Sequence, residues 1–406
     1  MTVDARRITI RRARPSDRKV VLDFCRRTWG EWGDYIDKVW DEWVRDRSGF
    51  FAVASLGERP IGTAKLTLLN RREVWFEGLR VDPSFRGMGL SHLLTGFLAR
   101  EALKLGAETV RYATGARNRA SLHIGKSWGL RLVGRYSILS ATCDGRRRHV
   151  FERIADPLRA LTIIKNLAVP VERVLVEPVG FDTRFTRASL RRLLKDRLRS
   201  ARKGALKGTK AERKIALDNI AHVVSLAPLT KAMGGLASEG WTFFQVDTDF
   251  LATAFDKREL FLGMWLERPP TGGSNQSAIG RRKAPVGGAP AGGWTEGGPV
   301  ESDTAVPLGF LVASPQRRRR RLLVKLVAEF GKDALGPLLS GIRRLAHELD
   351  LPRVRLIVPA TRTILATAKG AGFKEEDKGF YHVVMQMHLG DRSTRTRVAH
   401  LVDRYL

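Results

Sequence analysis

Val81-Asp-Pro-Ser-Phe-Arg86-Gly-Met-Gly-Leu-Ser91 is the stretch on which the reading of this chain turns. Before it, Glu73 to Val81 is a β-branched and aromatic run that predicts a strand. After it, Leu90, Leu93, Leu94, Phe97, Leu98, Ala102 and Leu105 recur at helical spacing and predict an amphipathic helix. The unit is strand, glycine loop, helix. Gly87 and Gly89 permit backbone conformations closed to other residues, and the free N–H groups of the first helical turn then face whatever binds there. Such a terminus favours pyrophosphate, and Arg86 adds a fixed, fork-shaped cation. Two alternatives compete. The glycines can serve a turn alone, and a dinucleotide fold is the other, although its third glycine falls on His92.

Arg86-Gly87-Met88-Gly89-Leu90-Ser91 resembles the acetyl-CoA loop of the GNAT acyltransferases, Arg/Gln-x-x-Gly-x-Gly/Ala, with Ser91 in the last, small position. The Val-Asp-Pro before it is typical of the same family. Asn118-Arg-Ala-Ser-Leu-His-Ile-Gly-Lys-Ser-Trp-Gly129-Leu130 resembles the second signature, an Asn-initiated helix ending in Gly-Phe, with Leu130 for Phe. The likeness covers Ile8 to Arg153 and, more weakly, the C-terminal third. It implies an α+β protein of two GNAT folds in tandem, each a mixed, mainly antiparallel sheet flanked by helices. The expected division is a catalytic domain at 1–155, a linker at 156–170, a degenerate GNAT-like domain at 171–392 and a helical tail at 393–406. A Gly/Pro-rich stretch at 268–305 lacks periodicity and is expected to be a disordered insertion.

The remaining pattern agrees with that order. Strands are predicted at 8–12, 50–55, 61–69 and 73–81, with hairpin turns at Gly57-Glu58 and Asn70-Arg71, then strand 108–113, helix 118–128 and strands 130–140 and 148–154. A second cycle is expected from 171, with a strand at 174–179 and a helix near 186. It ends in paired strands about Arg317 to Arg321, a helix from Leu335 to Leu349, strand 354–358, helix 361–371 and strand 379–387. Ala371-Gly372-Phe373 matches the helix-ending glycine, and counting back the distance from Gly129 to Asn118 lands on Thr361. The same register sets Glu329-Phe-Gly-Lys-Asp-Ala334 against Arg86 to Ser91, so glutamate replaces the arginine and lysine the second glycine.

The chain has 406 residues and a formal net charge of +30, with 72 Lys plus Arg against 42 Asp plus Glu. That excess favours acidic ligands such as CoA, RNA or acidic proteins. An Arg-rich composition set by the genome or by a hot habitat is the other reading. The block at 197–214 and the five arginines at 317–321 read as solvated surface, with a nucleic-acid contact as the alternative. Cys25 and Cys143 have neither metal spacing nor a bridge framework, so a reducing interior is expected and no metal is implied. No apolar run reaches membrane-spanning length, which gives the expectation of a soluble, cytoplasmic protein.

Acetyl transfer from a thioester to an amine needs a neutral amine, an oxyanion stabiliser and a proton for the leaving thiolate. In the family pantetheine lies along the strand before the loop. The resemblance therefore implies cofactor contacts from the backbone of Leu79, Arg80 and Val81, and from Arg86, Gly87, Met88, Gly89, Leu90, Ser91 and Asn118. Glu77 is the candidate base, directly or through water. Alternation puts it on the face of Trp75, Leu79 and Val81, unless a bulge at Gly78 flips the residues beyond; an ion pair with an arginine is the other reading. The loop Trp29-Gly-Glu-Trp-Gly-Asp-Tyr35 lies where the family lines its acceptor site, so Glu31, Trp32, Asp34 and Tyr35 are acceptor-binding candidates, Glu31 and Asp34 also as bases. Core tryptophans and helix-capping acids are the alternative there. The thiol-protonating tyrosine of the family falls on Gly125, which leaves Ser121, His123 or water as acid. The leading expectation is an acetyl-CoA-dependent N-acetyltransferase acting on a primary amine; a non-catalytic acyl-CoA-binding regulator and an RNA-linked role are the alternatives.

Overall fold

Two tight turns build the first sheet. Gly57, at φ +58°, closes the hairpin between β2 (Phe50–Leu56) and β3 (Arg59–Leu68). The Asn70 side chain accepts from the N–H groups of Arg72 and Glu73 at 2.8 and 3.0 Å, and so starts β4 (Glu73–Val81). With β1 (Ile8–Arg12) these form an antiparallel meander. The computed structural model describes residues 8–29, 34–145, 149–158, 160–161, 209–266, 305–330 and 333–406. The elements expected at 174–179 and near 186, most of the basic block at 197–214 and the insertion up to 304 lie outside the described residues; Ala305 already belongs to a strand.

Two helices, α1 (Arg18–Trp29) and α2 (Ile36–Arg45), bury Val21, Phe24, Trp40 and Trp43 against Phe51 and Val53 on one face of the meander. On the opposite face α3 (Leu90–Lys104) lays Leu90, Leu94, Phe97 and Leu98 on Ile61, Leu66, Val74 and Phe76. Then follow β5 (Thr109–Gly115), parallel to β4, and α4 (Arg119–Ser127), β6 (Arg131–Thr142) and β7 (His149–Arg153). The next part of the chain holds α5 (Lys210–Leu226), α6 (Pro228–Ala232), the ribbon β8 (Leu236–Glu239) and β9 (Thr242–Gln245), and α7 (Thr248–Asp256). After these come β10 (Leu260–Leu266), β11 (Ala305–Gln316), β12 (Arg321–Glu329), α8 (Leu335–Glu348), β13 (Arg353–Pro359) and α9 (Arg362–Gly370). The short β14 (Lys374–Glu375), β15 (His382–His388) and α10 (Arg392–Tyr405) end it. Arg317 to Arg320 form an exposed tip between β11 and β12.

The strand order corrects the expected division at residue 155. The sheet runs β1-β2-β3-β4-β5-β15-β6-β13-β12-β11-β10-β7, with β14 beside β6. β15 lies between β5 and β6, antiparallel to both. One edge of β6 carries β13; the other carries β15 along Arg131–Tyr136 and β14 at Leu139–Ser140. Every described sheet partner of β6 thus lies beyond residue 350, and β7 pairs with β10 at the far edge. Burial is the physical reason. Met385, Met387 and Leu389 from β15 and its end, with Val398 and Val402 from α10, complete the same core as Leu94, Phe97 and Val74.

A buried ion pair marks the junction. Arg111 of β5, 1 % exposed, donates to Glu73 of β4 at 2.9 Å, to Gln386 of β15 and to Gln245 of β9 at 3.0 Å. Glu73 also accepts from the Gln245 N–H at 3.2 Å. Removing one partner of such a pair leaves a charge stranded in a low dielectric. Arg111→Ala is therefore expected to lower stability by about 3–5 kcal/mol, measured by chemical denaturation, whereas truncating exposed Arg317 should leave the midpoint unchanged.

Candidate active site

β4 and β5 pair only from Glu73–Thr109 to Trp75–Arg111; beyond that point the strands part, and the β5-side edge of β4 has no strand partner among the described residues. On its other edge β4 bulges, since Lys65 faces Glu77 while Thr63 faces Arg80. Gly78 makes the bulge possible. It sits at φ +63°, where L side chains are strained, and a Cβ there would come within 2.6 Å of the Trp43 ring. The bulge turns Leu79 and Val81 onto the α3 core, and Glu77 stays with Trp75 on the opposite face. Regular alternation, which put Glu77 with Leu79 and Val81, is corrected by this one glycine.

Along the open edge lies the loop. Asp82, 1 % exposed, starts it by accepting from the Ser84 N–H at 3.1 Å and pairing with Arg59 at 3.2 Å. Gly87 and Gly89 adopt φ +80° and +75°, and Gly89 is the N-cap of α3. The N–H groups from Gly87 to Ser91 have no acceptor among the described residues. Arg86 is exposed and makes no ion pair among them. Leu90 itself points into the core and Met88 packs against it, so both serve the loop through backbone. Asn118 caps α4 by accepting from the Ser121 N–H at 3.1 Å.

On the other face, Glu77 accepts from the Thr67 hydroxyl at 2.6 Å. Burial pushes its carboxyl above the usual range, and Glu42 and Asp46 push the same way, against the Thr67 hydrogen bond and the Lys65 charge. Lys65 is spent on Asp46 and on the Leu66 carbonyl at 2.8 Å. Burial raises the Asp46 carboxyl, but hydrogen bonds from Lys65, Ser48 and Gly49 outweigh it and hold it near about 2. Asp34 forks onto Arg80 at 2.6 and 3.3 Å and accepts from the Ile36 N–H at 3.1 Å, so it clamps the α1–α2 loop to β4. That engagement removes it from the candidate bases. The Tyr35 ring meets Trp43 edge-on at 5.8 Å and lies 5.6 Å from the Arg80 guanidinium. Glu31 and Trp32 lie outside the described residues. His123 is exposed, with its ring edge-on to His92 at 6.4 Å.

Residues 18–129 match the Acetyltransferase (GNAT) family. Residues 18–129 are a GNAT domain. Among solved structures, a GCN5-related N-acetyltransferase from Sphaerobacter thermophilus is 14% identical, covers 96% of this chain and 97% of its own, and has a TM-score of 0.47. Ard1 from Thermoplasma volcanium is 21% identical over 32% of this chain and 86% of its own, at 0.29. The structure of yncA from Salmonella typhimurium, solved with its cofactor acetyl-CoA, is 21% identical over 32% and 82%, at 0.28. No curated protein matches the chain.

The GNAT match ends at Gly129, just before β6, the strand whose partners all come from the far end of the chain. In the later part, β12 and β13 pair in parallel only from Arg321–Arg353 to Val324–Leu356 and then part, as β4 and β5 do. There Glu329 turns inward, and its buried carboxylate accepts from the Leu229 N–H of α6 at 2.9 and 3.2 Å. Leu229 fills the core between β12 and α8. The loop and Glu77 were legible in the sequence as candidates; the Asp34–Arg80 clamp was not, and the bulge at Gly78, bringing Arg80 to the Glu77 face, was the available signal.

Gly78→Ala is expected to displace Trp43 and flatten the bulge. Its signature is a shifted tryptophan fluorescence maximum together with at least about tenfold weaker acetyl-CoA binding, because a 2.6 Å contact with a buried ring cannot be relieved locally.

Proposed function

We propose that this chain is an N-acetyltransferase that passes the acetyl group of acetyl-CoA directly to a primary amine in a ternary complex. The observation that carries the reading is the run of acceptorless N–H groups from Gly87 to Ser91, at the N-terminus of α3 and beside the unpaired Arg86. Such an array suits a pyrophosphate: the aligned N–H groups and the helix dipole favour negative charge, and Arg86 adds a guanidinium. Acetyl-CoA supplies the acyl group as a thioester. The unpaired edge of β4 beyond Trp75 offers backbone groups of Leu79, Arg80 and Val81 to pantetheine, and an N–H there can stabilise the tetrahedral oxyanion.

In this reading Glu77 takes the proton from the attacking amine, directly or through one water. Its raised pKa suits the task, since a base nearer neutrality accepts a proton with less penalty. Asp34 holds Arg80 and shapes the acceptor side. In the later part of the chain Glu329 occupies the place of the loop arginine in the sequence register, and its carboxylate accepts from the Leu229 N–H.

Two measurements test this. Calorimetric titration with acetyl-CoA should give micromolar binding at about one site per chain in the native protein and none in folded Arg86→Glu, because a carboxylate repels the pyrophosphate the loop is built to hold; absence of binding in the native protein would sink the reading. With an amine that turns over, activity should rise with pH through the elevated Glu77 pKa, because the base works ionised. Glu77→Gln should lose that acid limb and about 10²-fold in kcat, with acetyl-CoA affinity retained.

A further inference from the structure

The family position for the acid that protonates the departing thiolate is Gly125, and the structure gives that glycine a reason. A Cβ on Gly125 would come within 2.2 Å of the Tyr112 hydroxyl oxygen and 3.0 Å of its ring. A tyrosine at 125 and the tyrosine at 112 exclude one another. The Tyr112 hydroxyl, reaching α4 from β5, takes the space that any side chain at 125 would need.

We propose that Tyr112 is the general acid of the acetyl transfer, which rests on the acetyltransferase reading above. Three observations place it. It is the first residue of β5 beyond the last pair with β4, so it stands on the wall of the cleft where the two strands part. Strand alternation turns it, with Val110, toward α3 and α4, the side on which the Gly87–Ser91 loop opens, whereas Arg111 points the other way into its ion pair. Its hydroxyl is held on α4, donating to the Ser121 carbonyl at 2.7 Å. The ring is only partly buried, packed against the core that contains Leu90 and Trp128. Burial, opposed by hydrogen bonds from Ser121 and Gly125, keeps the phenol pKa up at about 12, so the group carries its proton at neutral pH. The competing candidates stand worse: His123 is exposed and its ring meets His92 edge-on, and the Ser121 hydroxyl is a far weaker acid than a phenol.

The step balances as follows. The amine nitrogen bonds to the acetyl carbon and the carbonyl pair moves to oxygen. The oxygen pair then re-forms the C=O bond as the C–S bond breaks with its electron pair on sulfur, the Tyr112 O–H proton passes to that sulfur to give free CoA thiol, and the nitrogen proton goes to Glu77. Solvent carries the Glu77 proton back to the Tyr112 phenolate. One amide and one thiol form from one amine and one thioester.

The test compares native protein, Tyr112→Phe, Tyr112→Leu and the exchange variant Tyr112→Leu/Gly125→Tyr, reading kcat, acetyl-CoA affinity and thermal midpoint. Tyr112→Phe keeps the ring that packs, so its expected signature is a loss of about 10²-fold in kcat with acetyl-CoA affinity within about twofold of native. Returning the phenol to α4 in the exchange variant should recover at least about tenfold over Tyr112→Leu, which a purely structural role for Tyr112 would not do. Native-like kcat in Tyr112→Phe, a kcat loss matched by lost affinity, or an exchange variant no better than Tyr112→Leu would each overturn the assignment. Should Tyr112→Phe fail to fold, the exchange comparison decides. A native protein that binds acetyl-CoA but acetylates no amine would instead overturn the acetyltransferase reading, and this assignment with it.

Discussion

A guanidinium with 1 % of its surface exposed is costly to bury, and Arg111 is tolerable only because three elements converge on it. Glu73 brings the countercharge from β4, Gln386 an oxygen from β15, and Gln245 another from the β8–β9 ribbon. If one is absent, a charge or a buried donor is left without a partner. The same residue is also the last at which β4 and β5 pair. The interaction that fastens three distant segments therefore sits at the root of the cleft, at the point where β4 and β5 part.

The parts of this fold legible in the sequence are those governed by local rules. Leu90 to Leu105 carry helical spacing, Gly87 and Gly89 mark left-handed backbone, and Trp40 with Trp43 share one helical face; each is a statement about neighbours in sequence. Glu77 was legible as a candidate base but not its surroundings, because the bulge at Gly78 decides which side chains share its face. The pairing of β6 was not legible at all. Alternation says which side of a strand is buried and nothing about which strand lies beside it, so a division after residue 155 was a natural expectation that the position of β15 corrects. Tyr112 was hidden for a related reason. Among the residues of β5 it reads as an ordinary aromatic, and its meaning comes only from its contact with Gly125 on α4, which spacing along one strand does not show.

The later part of the chain places a different charge at the corresponding point of a similar succession of elements. β12, α8, β13 and α9 repeat the succession β4, α3, β5, α4, including strands that pair briefly in parallel and then diverge. In the first case the residue at the loop is Arg86, exposed, with acceptorless N–H groups following it. In the second, a glutamate turns inward onto the first turn of α6 and Leu229 packs behind it. The succession of elements is shared; what differs is whether the charged side chain that follows the strand faces solvent or the core.

The position of β15 has a consequence for how the protein is made. Thr109 and His388, which face one another across β5 and β15, are 279 residues apart in the chain. During synthesis β5 therefore emerges long before the strand that covers its edge, and its open edge persists through the translation of everything between. Contacts of such long range are slow to form and leave unpaired strands exposed to aggregation. The glycine loop and Glu77 are translated early, yet the sheet that holds them becomes whole only after β15 has left the ribosome, so nascent chains of this protein should depend on chaperones for most of their elongation.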